Sequence, residues 1–249
     1  MLFNLMDEPW LPCLAPDGRR CELGIRDALA QAHELACLRD GSPLVTAALH
    51  RLLLAILHRA VEGPKDEKDW ARLWRRGQFD APEIGRYLDA WRQRFDLFDA
   101  AHPFCQVARF EVGACSPAAQ LAQELSRGNN PVLFDHTVED DAPPVSPPEA
   151  ARRLVGNQVF ALGGGVGATS NLFGKHPNLT HAPLAGGVTA LLAGDTLFET
   201  LMLNLLVYSP EASPGGRTAP PPACCRRGCP QTPVSWPLTA PYRRSGWCF

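Results

Sequence analysis

The chain has 249 residues, of which 45% are hydrophobic and 20% charged, enough to bury a substantial core as one large domain or two small ones. A formal net charge of −2 excludes strong global attraction to phosphate, so any nucleic-acid role must be local or shared with partners. No run approaches the ~18 consecutive apolar residues of a membrane span, and MLFNLMDEPW has no basic region followed by an apolar one, which points to a cytoplasmic protein without a membrane partner.

The nine cysteines are odd in number and form no two CxxC pairs. Reduced thiols are expected rather than a zinc site or a disulfide framework. The glycosylation sequon Asn178-Leu179-Thr180 is then a chance match.

Residues 2 to 14, the turn Ala15-Pro16-Asp17-Gly18 and the run Arg20 to Ile25 read as strand, turn and strand. Ser42-Pro43 supplies an N-cap and a first-turn proline. Val45, Ala48, Leu49, Leu52, Leu53, Ile56, Leu57 and Ala60 then recur at helical spacing until Gly63-Pro64. His50 and His58 fall away from that stripe and are expected in solvent. Trp70, Trp74, Arg72, Arg75 and Arg76 form a helical segment whose charges are offset by Asp66, Glu67 and Asp69, a solvated face. Asp80 and Pro82 open a helix with Ile84, Tyr87, Leu88, Trp91 and Phe95 on one face, which reads as core. Phe104 to Phe110 alternates like a strand, and Ser116-Pro117 begins a helix to about Leu125.

Gly128 to Pro148 is too rich in proline, asparagine and acids for a regular element, and too apolar at Val132, Leu133 and Phe134 for a plain linker. Its acids Glu139, Asp140 and Asp141 read as an exposed loop tip rather than a cation site. Ser146-Pro147-Pro148-Glu149 has the form of a capping box for a helix that continues to Phe160 and stops by Gly163. Asp195 is expected to cap a last helix from Leu197 to about Tyr208. Beyond Ser209, prolines and cysteines crowd and no apolar period survives. Residues 210–249 therefore read as a tail that is either disordered or out of frame, outside a folded unit at 1–209.

Gly163-Gly164-Gly165-Val166-Gly167 is the most distinctive local feature. Without side chains, its backbone amides can approach another surface closely, whether phosphate or a groove. The segment formally matches G-x-G-x-x-A, but a capped helix precedes it where the dinucleotide fingerprint needs a strand. A Walker loop fails because Gly174-Lys175 is followed by His176. A flexible surface loop is the alternative. No nucleophile elbow, HExxH or EF-hand loop occurs, so the chemistry alone names neither a reaction, a metal nor a cofactor.

Taken in order, several segments resemble the CasA family, the large subunit of the type I-E CRISPR Cascade complex. They begin with Phe3-Asn4-Leu5-Met6-Asp7-Glu8-Pro9-Trp10-Leu11-Pro12, Ser42-Pro43-Leu44, Leu73-Trp74 with Gly77 to Asp80, and Tyr87-Leu88 with Trp91. Arg94-Phe95-Asp96-Leu97-Phe98, His102-Pro103-Phe104 with Gln106, and Gly128-Asn129-Asn130 follow. Leu133-Phe134-Asp135-His136, the triple glycine, Leu197 to Leu201 and Leu203-Asn204-Leu205 complete the series.

The resemblance implies an α+β fold: a mixed N-terminal domain of the CasA type, helices packed on short antiparallel strands near the N-terminus and around 104 to 110. It implies a non-enzymatic subunit of an RNA-guided antiviral complex whose partners are the other Cascade subunits, crRNA, target double-stranded DNA at the PAM, and a recruited nuclease-helicase. Gly163, Gly164 and Gly165 correspond to the loop that enters the PAM minor groove. A groove ~6 Å wide admits a bare backbone, and the coarse code there suits a tolerant reader. Asn129, Asn130, Leu133, Phe134, Asp135 and His136 correspond to the loop against the crRNA handle and neighbouring subunits. Family members are about twice as long. A later lysine at the PAM, a glutamine wedge and the C-terminal helical bundle have no counterpart here, so strand opening and docking are expected to be impaired. The competing reading is a nucleotide- or small-ligand-binding enzyme that uses the glycine loop, with Lys175, His176 and His181 as its nearest functional groups. A third is a degenerate gene product that folds poorly.

Overall fold

The computed structural model describes residues 2–108, 121–122, 144–165, 178–179 and 181–207. The loop at Asn129 to His136, most of the helix expected from Ser116, and the tail beyond Val207 lie outside the described residues.

Strand β1 (Leu11–Leu14) pairs antiparallel with β2 (Arg20–Leu23), and its other edge takes β3 (Cys37–Leu38), in the order β2-β1-β3. The register sets Leu11 opposite Leu23 and Cys13 opposite both Cys21 and Leu38. Leu11 and Cys13 are buried while Pro12 and Leu14 are half-buried, the period-two alternation of a sheet with one face on the core. The first strand is confined to these four residues. Upstream, Leu5 and Met6 are buried between two neighbouring backbones: Leu5 N–H donates to the Phe95 carbonyl at 2.9 Å, and Arg26 N–H to the Met6 carbonyl at 3.0 Å. Helix α1 (Ile25–Ala30) begins at Gly24, where a Cβ would stand 2.4 Å from the Met6 carbonyl oxygen. Only glycine lets those two stretches of backbone meet.

Helix α2 (Pro43–Ala60) is the centre of the packing, against α4, α5 and α6 as well as β3. Of its predicted apolar positions, Val45, Ala48, Leu49, Leu52, Leu53, Ile56 and Leu57 are buried and Ala60 is half-buried, and a fully buried leucine contributes about 2 kcal/mol. The expectation for the histidines fails. His50 is buried, its Nδ1 2.8 Å from the Thr46 carbonyl, and His58 is half-buried. With neighbours on several sides, the buried face of α2 is wider than one stripe, and it takes in positions that a one-sided helix would leave in water.

Helix α3 (Glu67–Arg76) is capped by Asp66, which accepts from Asp69 N–H at 2.7 Å, and ends at Gly77 in the left-handed region, φ 69°. Its charged face is exposed as expected, while Trp70 and Trp74 stack at 5.2 Å and lean on the core. Helix α4 (Ala81–Ala90) is capped by Asp80 and leads into a 3-10 turn at Arg92–Phe95. Ile84, Leu88 and Phe95 are buried, and Tyr87 and Trp91 pack at the margin. The alternation from Phe104 does not make a strand through Ala108. Phe104 N–H donates to the Asp96 carbonyl at 2.8 Å, Cys105 turns at φ 54°, and Gln106 Nε2 donates to the Leu97 carbonyl at 2.8 Å. These bonds fold the segment back as a turn, with Phe104 stacked on Phe95 at 5.9 Å.

Helix α5 (Pro147–Phe160) starts at Ser146, whose side chain makes no capping bond. Glu149 pairs with Arg153 instead of reaching back, so the capping box is not formed. Strands β4 (Gly164–Gly165) and β5 (Asn178–Leu179) make a second, two-stranded sheet. Helix α6 (Leu197–Asn204) is capped by Thr196 rather than Asp195: Thr196 Oγ1 accepts from Glu199 N–H at 3.1 Å, while Asp195 N–H donates to Glu199 Oε2 at 2.8 Å. It ends at Asn204, short of Tyr208. The α+β class stands, as helices around a small antiparallel sheet.

Candidate nucleic-acid interface

The glycine segment is set on the end of α5, so its placement begins with how α5 is held. Gly156 faces α2 closely enough that a Cβ there would lie 3.0 Å from Val45 Cγ2. One turn earlier, Arg152 Nη1 donates to the Trp10 carbonyl at 2.8 Å and to Glu22 Oε1 at 2.7 Å, and its Nε lies 3.1 Å from Asp40 Oδ2. One guanidinium thus ties α5 to the start of β1, to β2 and to the turn before α2. Sequence reasoning missed Arg152. The signal was available, because Arg152 lies three and seven residues before Val155 and Val159 on the buried side of α5, where a cation must find anions.

Beyond Phe160 the chain turns extended at Ala161 and runs beside residues 181 to 184. Leu184 N–H donates to the Val159 carbonyl at 3.1 Å and Ala182 N–H to the Ala161 carbonyl at 2.8 Å. The ladder continues as Gly164 opposite Leu179 and Gly165 opposite Asn178. Ala161 and Ala182 are buried against each other, with Ala185 alongside. Gly164 and Gly165 are therefore in a strand rather than an open loop, and the ribbon is rooted in a helix end. Between the two halves of the ladder, Gly163 N–H donates to His181 Nδ1 at 3.0 Å.

Of the three groups considered for an enzyme, Lys175 and His176 lie outside the described residues, and His181 is engaged with Gly163. The loop residues Asn129, Asn130, Leu133, Phe134, Asp135 and His136 also lie outside them. Among the described residues no group of three or more His, Cys, Asp or Glu is placed to hold a metal ion, and no helix is long and apolar enough to cross a membrane. Cys13, Cys21, Cys37 and Cys105 are free thiols, and burial, with Cys21 and Cys37 nearby, pushes the Cys13 thiol up to about 12.

A cleft of about 780 Å³ opens elsewhere, between the end of α2, α3 and α4. Glu62, Asp66, Asp69 and Glu83 line it together with Lys65, Lys68, Arg72 and Arg86, a balance that favours neither an anion nor a cation. The Lys65 backbone N–H, with Arg72 beside it, holds the Asp69 carboxyl below its ordinary value.

The chain is 43% identical to the CRISPR-associated protein CasA/Cse1 of Thermus thermophilus, over 98% of its own length and 47% of that protein's, so it spans about half the length of this relative. A crystal structure of CasA from Thermus thermophilus superposes with a TM-score of 0.72 at 40% identity, over 85% of this chain and 41% of that one. A chain of a CRISPR RNA-guided surveillance complex in a pre-nicking state superposes with a TM-score of 0.73 at 29% identity, over 83% of this chain and 43% of that one. The family model for CRISPR-associated protein Cse1 matches residues 4–244. With nearly its whole length matched, the chain belongs to the Cse1 family.

Proposed function

We propose that the chain serves as a non-catalytic subunit of a crRNA-guided antiviral surveillance complex of the type I-E Cascade kind, helping to recognise the PAM of target DNA and to recruit the nuclease-helicase. In the cytoplasm its partners are the other Cascade subunits, crRNA and target duplex. The observation that carries this reading is the side-chain-free strand Gly164–Gly165, rooted on the end of α5, in a chain similar to one from an RNA-guided surveillance complex. Bare backbone suits a groove ~6 Å wide, where the guanine amino group is the main distinction to be read. Guide pairing supplies the rest of the sequence information. The loop at Asn129 to His136 takes the crRNA handle and the neighbouring subunits.

The test reconstitutes the chain with crRNA and the remaining type I-E subunits and measures affinity for target duplexes that differ only at the PAM. Valine keeps strand propensity while adding bulk. The double variant Gly164→Val/Gly165→Val is expected to weaken binding of the PAM duplex by about tenfold or more, as loss of a groove contact worth ~1–3 kcal/mol implies. Pairing of the guide with a single-stranded target is expected to stay the same. Unchanged affinity for the PAM duplex would refute the assignment.

A further inference from the structure

We propose that His181 is a positioning residue for the glycine ribbon: by accepting the Gly163 N–H it fixes where the bare strand leaves the body of the protein. The inference rests on the DNA-reading role above and adds the residue that aims the ribbon.

The ladder beside α5 is made of backbone pairs at Val159 with Leu184, Ala161 with Ala182, Gly164 with Leu179 and Gly165 with Asn178. At Gly163 the acceptor is instead a side chain, His181 Nδ1 at 3.0 Å. Glycine has no side chain to be held by packing, and it loses more conformational freedom on ordering than any other residue. Gly164 and Gly165 are held by backbone pairing alone, so the bond at the first amide of the run is the one a side chain supplies. His181 reaches that amide from just past β5, one residue before the buried Ala182. For Nδ1 to accept, the ring must be neutral with its proton on Nε2, which leaves Nε2–H pointing away from Gly163. A root ordered before DNA arrives lowers the entropy lost when the ribbon enters a groove.

The experiment compares the assembled complex carrying the native chain, His181→Asn, His181→Leu, and Gly164→Val/Gly165→Val. Asparagine Oδ1 can stand near the place of Nδ1 and accept; leucine fills similar volume and cannot. Hydrogen exchange at the Gly163 amide and affinity for a PAM-bearing duplex are both measured. His181→Leu is expected to speed Gly163 exchange and weaken PAM-duplex binding, each by about 2- to 10-fold, the range one neutral hydrogen bond commands. His181→Asn is expected to restore both. Unchanged exchange in His181→Leu, or failure of His181→Asn to restore, would overturn the role of His181. If exchange responds but PAM affinity does not, while the glycine variant still loses affinity, the ribbon reads DNA and His181 does not aim it. If the glycine variant also binds normally, the DNA-reading role falls and this inference with it.

Discussion

Arg152 Nε lies 3.1 Å from the Asp40 carboxylate, with both side chains less than one-fifth exposed, and this pair fastens α5 to the turn ahead of α2. The same guanidinium serves Glu22 and the Trp10 carbonyl, so truncating it strands three acceptors at once. Arg152→Met is expected to destabilise the fold by about 3 kcal/mol, near the lower end for breaking a buried pair because Glu22 is partly exposed. Arg152→Lys should recover only part of this, since an ammonium cannot present the planar fork to all three partners. Urea denaturation of the two variants beside the native chain measures the difference.

At Gly24 the obstacle to a side chain is backbone: the Met6 carbonyl oxygen at 2.4 Å and the Asp7 carbonyl carbon at 2.9 Å. Neither can rotate away. Gly24→Ala is expected to cost about 3 kcal/mol, the upper part of the range for overpacking, and to lower the thermal midpoint markedly. Gly41→Ala, where a Cβ would meet nothing within 4 Å, is the control and should leave the midpoint nearly unchanged.

Burial lowers the pKa of His50 below its ordinary 6.5, with the hydrogen bond to Thr46 acting in the opposite sense, and burial lowers His58 likewise. As pH falls through 6.5 the unfolded chain takes up protons that the native state refuses. The stability present above that pH is therefore lost on acidification, at up to about 1.4 kcal/mol per pH unit for each group, until the native histidines protonate in turn. His50→Phe keeps a buried ring without the titration and should make the fall shallower between neutral and mildly acidic pH. Chemical denaturation at a series of pH values reads the slope.

Thr196 Oγ1 accepts the Glu199 N–H, so Thr196→Ala is expected to cost about 1 kcal/mol. Asp195→Ala should cost less, because Asp195 contributes only its backbone N–H to Glu199. A reversed order of the two midpoints would place the cap at Asp195 after all.

Periodicity made α2 legible, and side-chain chemistry made the cap at Asp80 legible, because both signals are local. His50 was misread for the complementary reason. Its burial comes from elements far along the chain that pack around α2, and a helical wheel of α2 alone does not contain them. Phe104 to Ala108 carried a real alternation, but a strand also needs an edge to pair with. Here the Asp96 and Leu97 carbonyls claimed the donors of Phe104 and Gln106 first. At the candidate site, the glycine run was plain and its anchorage was not. The partner strand begins after an intervening stretch, and the decisive bond joins a backbone amide to an imidazole eighteen residues on.

Helix α5 carries its firm attachments at Arg152 and Gly156 and its ribbon at the far end, with the Val159–Leu184 and Ala161–Ala182 bonds bridging the helix terminus. That arrangement is a cantilever without a hinge at its root. The bonded path from the glycines runs back through α5 to Arg152, and from there to Trp10, Glu22 and Asp40. The direction in which the ribbon leaves the protein is therefore referred to the N-terminal core, through a side chain eight residues before the end of α5.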